Sequence, residues 1–132
     1  MKILVFGNAL VKKDSLALSV AHALEHDAEL RGKGIEFVEF DTAENLEDEG
    51  PDITILDVAS GIKKVTELTD MDRLEKSPSY SMHDFDLAVT LKLLKKIGKI
   101  KTVRIIAIPS VYEKKRAVKE VKEALTSKSD FF

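Results

Sequence analysis

Short apolar runs alternate along this chain with stretches in which apolar side chains recur every third or fourth position. The runs lie at residues 3–6, 35–40 and 53–56, and the stretch between the first two has the helical stripe Ala17, Val20, Ala21, Leu24 and Ala28. The order strand, helix, strand, helix, strand is typical of α/β proteins. Because the run at 53–56 is apolar almost throughout, it predicts a strand of a parallel sheet that is buried on both faces.

Capping residues and glycines predict where these elements begin and end. The first helix should begin near Asp14, because an acidic residue is favourable in the first turn of a helix. It should end at Gly32 and Gly34. Capping-box spacing at 41–44 predicts a short helix through about residue 47. The same spacing at 81–84 predicts a helix over 84–97 that ends at Gly98, with the buried face Leu87, Leu91, Leu94 and Ile97.

The rest of the chain reads as an edge strand, a core strand and a last helix. Residues 61–80 predict an edge strand plus a loop, residues 102–108 are rich in β-branched side chains and predict a strand, and residues 112–125 predict a helix. At 132 residues with 44% hydrophobic content, the chain fits one domain. We expect that domain to span 1–126, followed by a frayed tail at 127–132.

Charge and cysteine content bound the partners and the compartment. Lys and Arg number 21 against 23 Asp and Glu, and the net charge of −2 gives no global attraction to nucleic acid or to an anionic membrane. No apolar run approaches a membrane span, and the first strand starts where a signal peptide would lie. With no cysteine in the chain, we expect a cytoplasmic protein without disulfides.

Three side chains stand out because the predicted fold places them along one edge of the sheet. Asp14 falls at the start of the first helix, Asp57 at the carboxyl end of the third strand, and His83 beside the start of the helix at 84–97. Ligands of open α/β sheets bind at that edge. Two carboxylates and one imidazole suit a divalent cation such as nickel or zinc. The alternative is structural, with Asp14 complementing a helix dipole, Asp57 capping a turn and His83 half-buried.

The same segments resemble, in order and spacing, the nickel-iron hydrogenase maturation endopeptidases. The resemblance rests on an aliphatic strand followed by Gly7-Asn8 and then Asp14, on Asp57 ending a strand, and on His83 after Ser81. It continues through Gly98 and the strand at 103–108, and covers about 110 residues.

This resemblance implies a three-layer α/β/α fold with a mostly parallel five-stranded sheet and one antiparallel strand near Val65. It implies an aspartic-type endopeptidase, active as a monomer, that recognises nickel in a hydrogenase large-subunit precursor and removes the C-terminal extension of that precursor. Asp14, Asp57 and His83 would contact the metal, and Asp14 and Asp57 would be catalytic. The nickel would be carried by the substrate, and zinc or cadmium could replace it in vitro.

Some positions depart from the pattern of that family. Lys13 occupies the first place of its usual acidic pair, Ser15 and Ala17 stand where glycines are usual, and residues 41–43 replace a glycine-rich run. A cation next to Asp14 opposes the binding of a divalent metal. The alternative hypothesis is therefore a non-catalytic α/β protein of the same fold that senses metal or binds the precursor.

Two further patterns offer competing functions. His22, Glu25 and His26 match the H-x-x-E-H pattern of some zinc proteases. On a helix whose apolar stripe faces the sheet, the two histidines would point to solvent, so we expect a solvated face. The lysines over 92–101, with Arg104, form a basic stretch without interleaved aromatic residues. A solvated face is favoured there over contact with nucleic acid, and the acidic tail of a protein partner is another candidate.

Overall fold

The structure is a computed structural model that describes residues 1–6, 15–40, 46–69, 81–82 and 85–126. These described residues form six strands, four helices and one 3₁₀ turn. In chain order they are β1 (Lys2–Phe6), α1 (Ser15–Leu24), α2 (Ala28–Gly32), β2 (Glu36–Phe40), the 3₁₀ turn (Leu46–Glu49), β3 (Asp52–Ser60), β4 (Thr66–Leu68), β5 (Ser81–Met82), α3 (Phe85–Lys96), β6 (Thr102–Pro109) and α4 (Lys114–Thr126). The predicted tail at 127–132 lies outside the described residues.

The strands form one sheet in the order β2-β1-β3-β6-β4. Strand β1 is parallel to β2 and β3, and β3 is parallel to β6. Strand β4 is antiparallel to β6 and follows Val65, which confirms the predicted antiparallel strand. The two-residue β5, which the sequence did not predict, pairs with the far end of β3 in the antiparallel direction.

Apolar side chains cover both faces of this sheet and build two separate cores. On one face, Ile3, Val5, Leu56 and Ile106 pack with buried residues of α1, α2 and α4. On the other face, Leu4, Ile55 and Ile105 pack with Leu46 of the 3₁₀ turn and with Leu91 and Leu94 of α3. The result is the three-layer α/β/α architecture, and β3 is buried on both faces as its apolar run predicts.

The first helical stretch is two helices rather than one. The buried stripe Ala17, Val20, Ala21 and Leu24 is confirmed, but Ala28 is exposed. Helix α1 ends at Leu24, and Asp27 starts α2 by accepting a hydrogen bond from the backbone N–H of Leu30 at 3.1 Å. An aspartate in this position is a strong helix start, and it outweighs the continuation of the stripe.

Two other predictions about helices are wrong in detail. Ser81 does not begin a helix: it pairs with Ser60 in β5, and α3 begins at Phe85. Ile97 was expected in the core, but it lies just after the end of α3 at Lys96 and 58% of its surface is exposed. Between β2 and β3, where a short helix through about residue 47 was predicted, the structure has a 3₁₀ turn at Leu46–Glu49. Residues 41–45 lie outside the described part.

Candidate active site

Asp57 is the one charged side chain that is buried among the described residues. Only 1% of its surface is exposed, within a strand whose neighbouring positions are apolar. Removing a carboxylate from water is costly, and acidic residues are rarely buried to this degree unless a partner or a ligand compensates them. Burial therefore marks Asp57 as a candidate functional residue.

The face of the sheet to which Asp57 belongs follows from its position in β3. Side chains alternate between the two faces along a strand. Ile53 and Ile55 pack in the core under α3, whereas Leu56 and Val58 pack in the core under α1 and α4. Asp57 therefore lies on the α3 face, where it continues the row of Ile53 and Ile55 toward the carboxyl edge.

Along β3, Asp57 lies between the last residue paired with β1 and the first residue paired with β5. Strand β1 is paired with β3 as far as Val5 opposite Leu56, and it ends at Phe6. Strand β5 pairs with β3 from Ala59 onward. On the opposite side, Asp57 is aligned with Ala107 of β6. Asp57 is therefore level with the carboxyl end of β1, and α/β sheets bind ligands beyond the carboxyl ends of their strands.

One oxygen of the Asp57 carboxylate is held by the neighbouring backbone. The N–H of Val58 donates a hydrogen bond to Asp57 Oδ1 at 2.8 Å. This hydrogen bond restrains the orientation of the side chain. A carboxylate oriented in this way can bind a cation or orient a water molecule.

The prediction that Asp57 ends its strand is wrong. Strand β3 continues through Val58 and Ala59, which are buried, to Ser60. The extension is stable because β6 pairs with it as far as Pro109 and β5 pairs with its last two residues. Aspartate is uncommon inside strands, which is why the sequence indicated an end at this position.

Two helices begin at the carboxyl edge of the sheet, near which Asp57 lies. Strands β1 and β2 are parallel, so the connection between them, which contains α1, leaves from the carboxyl end of β1. Strands β3 and β6 are also parallel, and α3, which precedes β6, starts at the same edge of the sheet. Asp14 and His83, the other two predicted metal ligands, lie outside the described residues. Their convergence with Asp57 stays a prediction.

The H-x-x-E-H pattern lies on the surface, as expected. The side chains of His22 and His26 are 63% and 79% exposed, and each approaches Glu25, at 3.5 and 3.4 Å. Helix α1 ends at Leu24, so the two histidines do not share one helix face. Within the described ranges, no three histidine or acidic side chains are grouped closely enough to hold a metal ion.

A cavity of about 280 Å³ lies at the opposite, amino edge of the sheet, among the first residues of β1, β3 and β6. Its polar groups already pair with each other. Lys2 Nζ contacts Glu49 Oε1 at 2.7 Å, and the Thr102 hydroxyl donates to Asp52 Oδ1 at 2.6 Å. We therefore place the candidate site at the carboxyl edge.

The fold matches a set of solved hydrogenase maturation peptidases. The [NiFe] hydrogenase maturation protease HybD from Thermococcus kodakarensis is 22% identical, with a TM-score of 0.63 over 96% of this chain and 100% of that chain. The hydrogenase 2 maturation peptidase from a Thaumarchaeota archaeon is 21% identical, with a TM-score of 0.54 over 96% and 99%. The maturation protease HycI from T. kodakarensis is 16% identical, with a TM-score of 0.58 over 94% and 88%.

No protein-family model matches the sequence, and no curated protein does so. At these identities the similarity shows a shared fold, and it confirms at that level the resemblance inferred from the sequence. In the part of the chain that the structure covers, no helix has the length and apolar character needed to cross a membrane.

Proposed function

We propose that this protein is a peptidase of hydrogenase maturation, which removes the C-terminal extension of a large-subunit precursor after nickel has been inserted. The observation that carries the proposal is the buried Asp57, which lies on β3 between the pairing with β1 and the pairing with β5. Support comes from the solved maturation proteases, whose fold this chain shares over nearly its whole length.

In this proposal, the nickel ion belongs to the substrate. Asp57 binds the nickel through its carboxylate, together with Asp14 and His83, the residues that the sequence resemblance implies. Binding of the nickel by these residues brings the scissile peptide next to the site, so that only a nickel-loaded precursor is positioned for cleavage. In an aspartic-type hydrolysis, a carboxylate of the site then accepts a proton from a water molecule, and the water oxygen bonds to the carbonyl carbon of the scissile peptide. The C–N bond breaks as the carboxylic acid returns that proton to the leaving amine. Zinc or cadmium, with similar ligand preferences, would replace nickel in vitro.

The location of Asp57 on the α3 face suits this role. The side chain lies at the end of an apolar row and is screened from bulk water, so its interaction with a cation is stronger than it would be on the surface. Because Val58 holds one carboxylate oxygen, little reorganisation is needed when the metal arrives.

Mass spectrometry of intact precursors tests the proposal. Nickel-loaded and nickel-free large-subunit precursors are incubated separately with the protein. Loss of a C-terminal peptide from the nickel-loaded precursor alone is the expected result. If no precursor is cleaved while a control protease cuts it, the proposal fails, and the non-catalytic hypothesis based on Lys13 is favoured instead.

A further inference from the structure

The end of α3 exposes two large apolar side chains beside a group of lysines. Leu93 and Ile97 are 55% and 58% exposed, and the N–H of Ile97 donates to the carbonyl oxygen of Leu93 at 3.0 Å. They are therefore neighbours one helical turn apart. Lys96 is exposed on the helix next to them, and Lys99 is exposed two residues after Ile97. We call these four residues, Leu93, Lys96, Ile97 and Lys99, the α3 patch.

The lysines of the α3 patch have no acidic partners among the described residues, whereas Lys2 and Lys122 elsewhere pair with Glu49 and Asp27. Cations at the end of a helix complement its dipole, which could explain Lys96. The dipole does not explain why Leu93 and Ile97 remain exposed beside them. Apolar residues with a charged rim are typical of protein interaction sites.

We propose that the α3 patch is the docking surface for an acidic segment of the hydrogenase large-subunit precursor, and this inference rests on the function proposed above. Carboxylates of that segment would pair with Lys96 and Lys99, and an apolar side chain would cover Leu93 and Ile97. The patch contains no aromatic side chain on which a base could stack, which favours a protein over RNA.

The position of the patch on α3 separates docking from chemistry. Helix α3 begins at the carboxyl edge, and Ile97 lies 12 residues after its first residue, Phe85, or about 18 Å along the axis. A segment bound there contributes equally to the ground state and to the transition state of hydrolysis. Its loss raises KM and leaves kcat unchanged.

Cleavage kinetics of the nickel-loaded precursor test this inference. Two variants change the patch: Lys96→Glu/Lys99→Glu and Leu93→Ser/Ile97→Ser. The matched control is Lys114→Glu/Lys115→Glu, which makes the same charge change at exposed positions of α4, on the opposite face of the sheet. We expect each patch variant to raise KM roughly tenfold with kcat unchanged, and the control to change neither. Added salt should raise KM for the wild-type protein more than for the charge variant.

Three results would overturn the inference. One is an unchanged KM in both patch variants, with normal cleavage. Another is a wild-type dimer in light scattering that Leu93→Ser/Ile97→Ser dissociates, because the patch would then contact a second copy. The third is binding of single-stranded RNA that is lost in the charge variant. Absence of cleavage by the wild-type protein would instead reject the proposed function, and this inference with it.

Discussion

Asp27 connects two helices of one layer through a single carboxylate. Its side chain accepts a hydrogen bond from the backbone N–H of Leu30 at the start of α2, and Lys122 Nζ of α4 lies 2.8 Å from Asp27 Oδ2. The hydrogen bond from Lys122, followed by that from Leu30, lowers the pKa of Asp27 below its ordinary value. The ionised carboxylate therefore stabilises the folded state.

This lowered pKa predicts a pH-dependent effect of Asp27→Asn. Asparagine still caps α2 but loses the charge pair with Lys122. Because the pKa of Asp27 is lower in the folded state, its contribution is complete above the unfolded value of about 4 and is lost as the pH falls through the folded value. The loss of melting temperature in Asp27→Asn should thus be largest near neutral pH and vanish in acid. An equal decrease in melting temperature at neutral and at acidic pH would contradict this interpretation.

Helix α3 offers a matched test of which leucines hold it to the sheet. Leu91 is fully buried against Leu4 and Ile55, whereas Leu93, two residues later, is largely exposed. Leu91→Ala should lower the free energy of unfolding by about 2–5 kcal/mol, because it leaves a cavity. Leu93→Ala should change it by no more than about 0.5 kcal/mol. Urea denaturation measures both, and equal losses would mean that α3 packs differently.

The glycines that end two helices should respond in opposite directions to alanine. Gly98 has φ +83° with open space where a Cβ would lie, so Gly98→Ala costs only the strained backbone, about 1–2 kcal/mol. Gly32 ends α2, and a Cβ there would also meet nothing. Because alanine favours helix, Gly32→Ala should stabilise the protein by up to about 1 kcal/mol. Thermal unfolding of the two variants measures whether each change raises or lowers the stability of the protein.

Most elements could be predicted from local patterns, and the failures have physical reasons. The strands β1, β2 and β6 and the buried faces of α1 and α4 follow from periodicity. The break before Asp27 was missed because the apolar spacing continues across it, whereas Asp27 caps the start of a new helix. Strand β5 was missed because Ser81 and Met82 form a strand only by pairing with Ala59 and Ser60. That contact is distant in sequence and leaves no local signal.

The candidate site depends on the arrangement of the whole sheet. The sequence could predict that Asp57 belongs to a central strand, since an apolar run precedes it. The position of Asp57 between the residues of β3 that pair with β1 and those that pair with β5 could not be predicted, because it depends on the register of three strands. Asp14 and His83, which lie outside the described residues, remain predictions from the expected fold and the resemblance.

The arrangement also separates two functions on one molecule. The proposed chemistry lies at the carboxyl edge, beside the start of α3, and the proposed docking surface lies at the end of the same helix. A precursor that contacts both would be positioned by two independent interactions, which gives specificity without requiring tight binding at either one.

The measurement that tests this proposal most directly compares Asp57→Asn with Asp52→Asn. Both changes remove one carboxylate charge from β3, but Asp52 lies at its exposed start and accepts a hydrogen bond from Thr102, which asparagine preserves. We expect Asp57→Asn to lower the rate of cleavage of nickel-loaded precursor roughly 100-fold or more, with its circular dichroism unchanged. Asp52→Asn should cleave at nearly the wild-type rate. Wild-type cleavage by a folded Asp57→Asn variant would contradict the central role of this buried carboxylate.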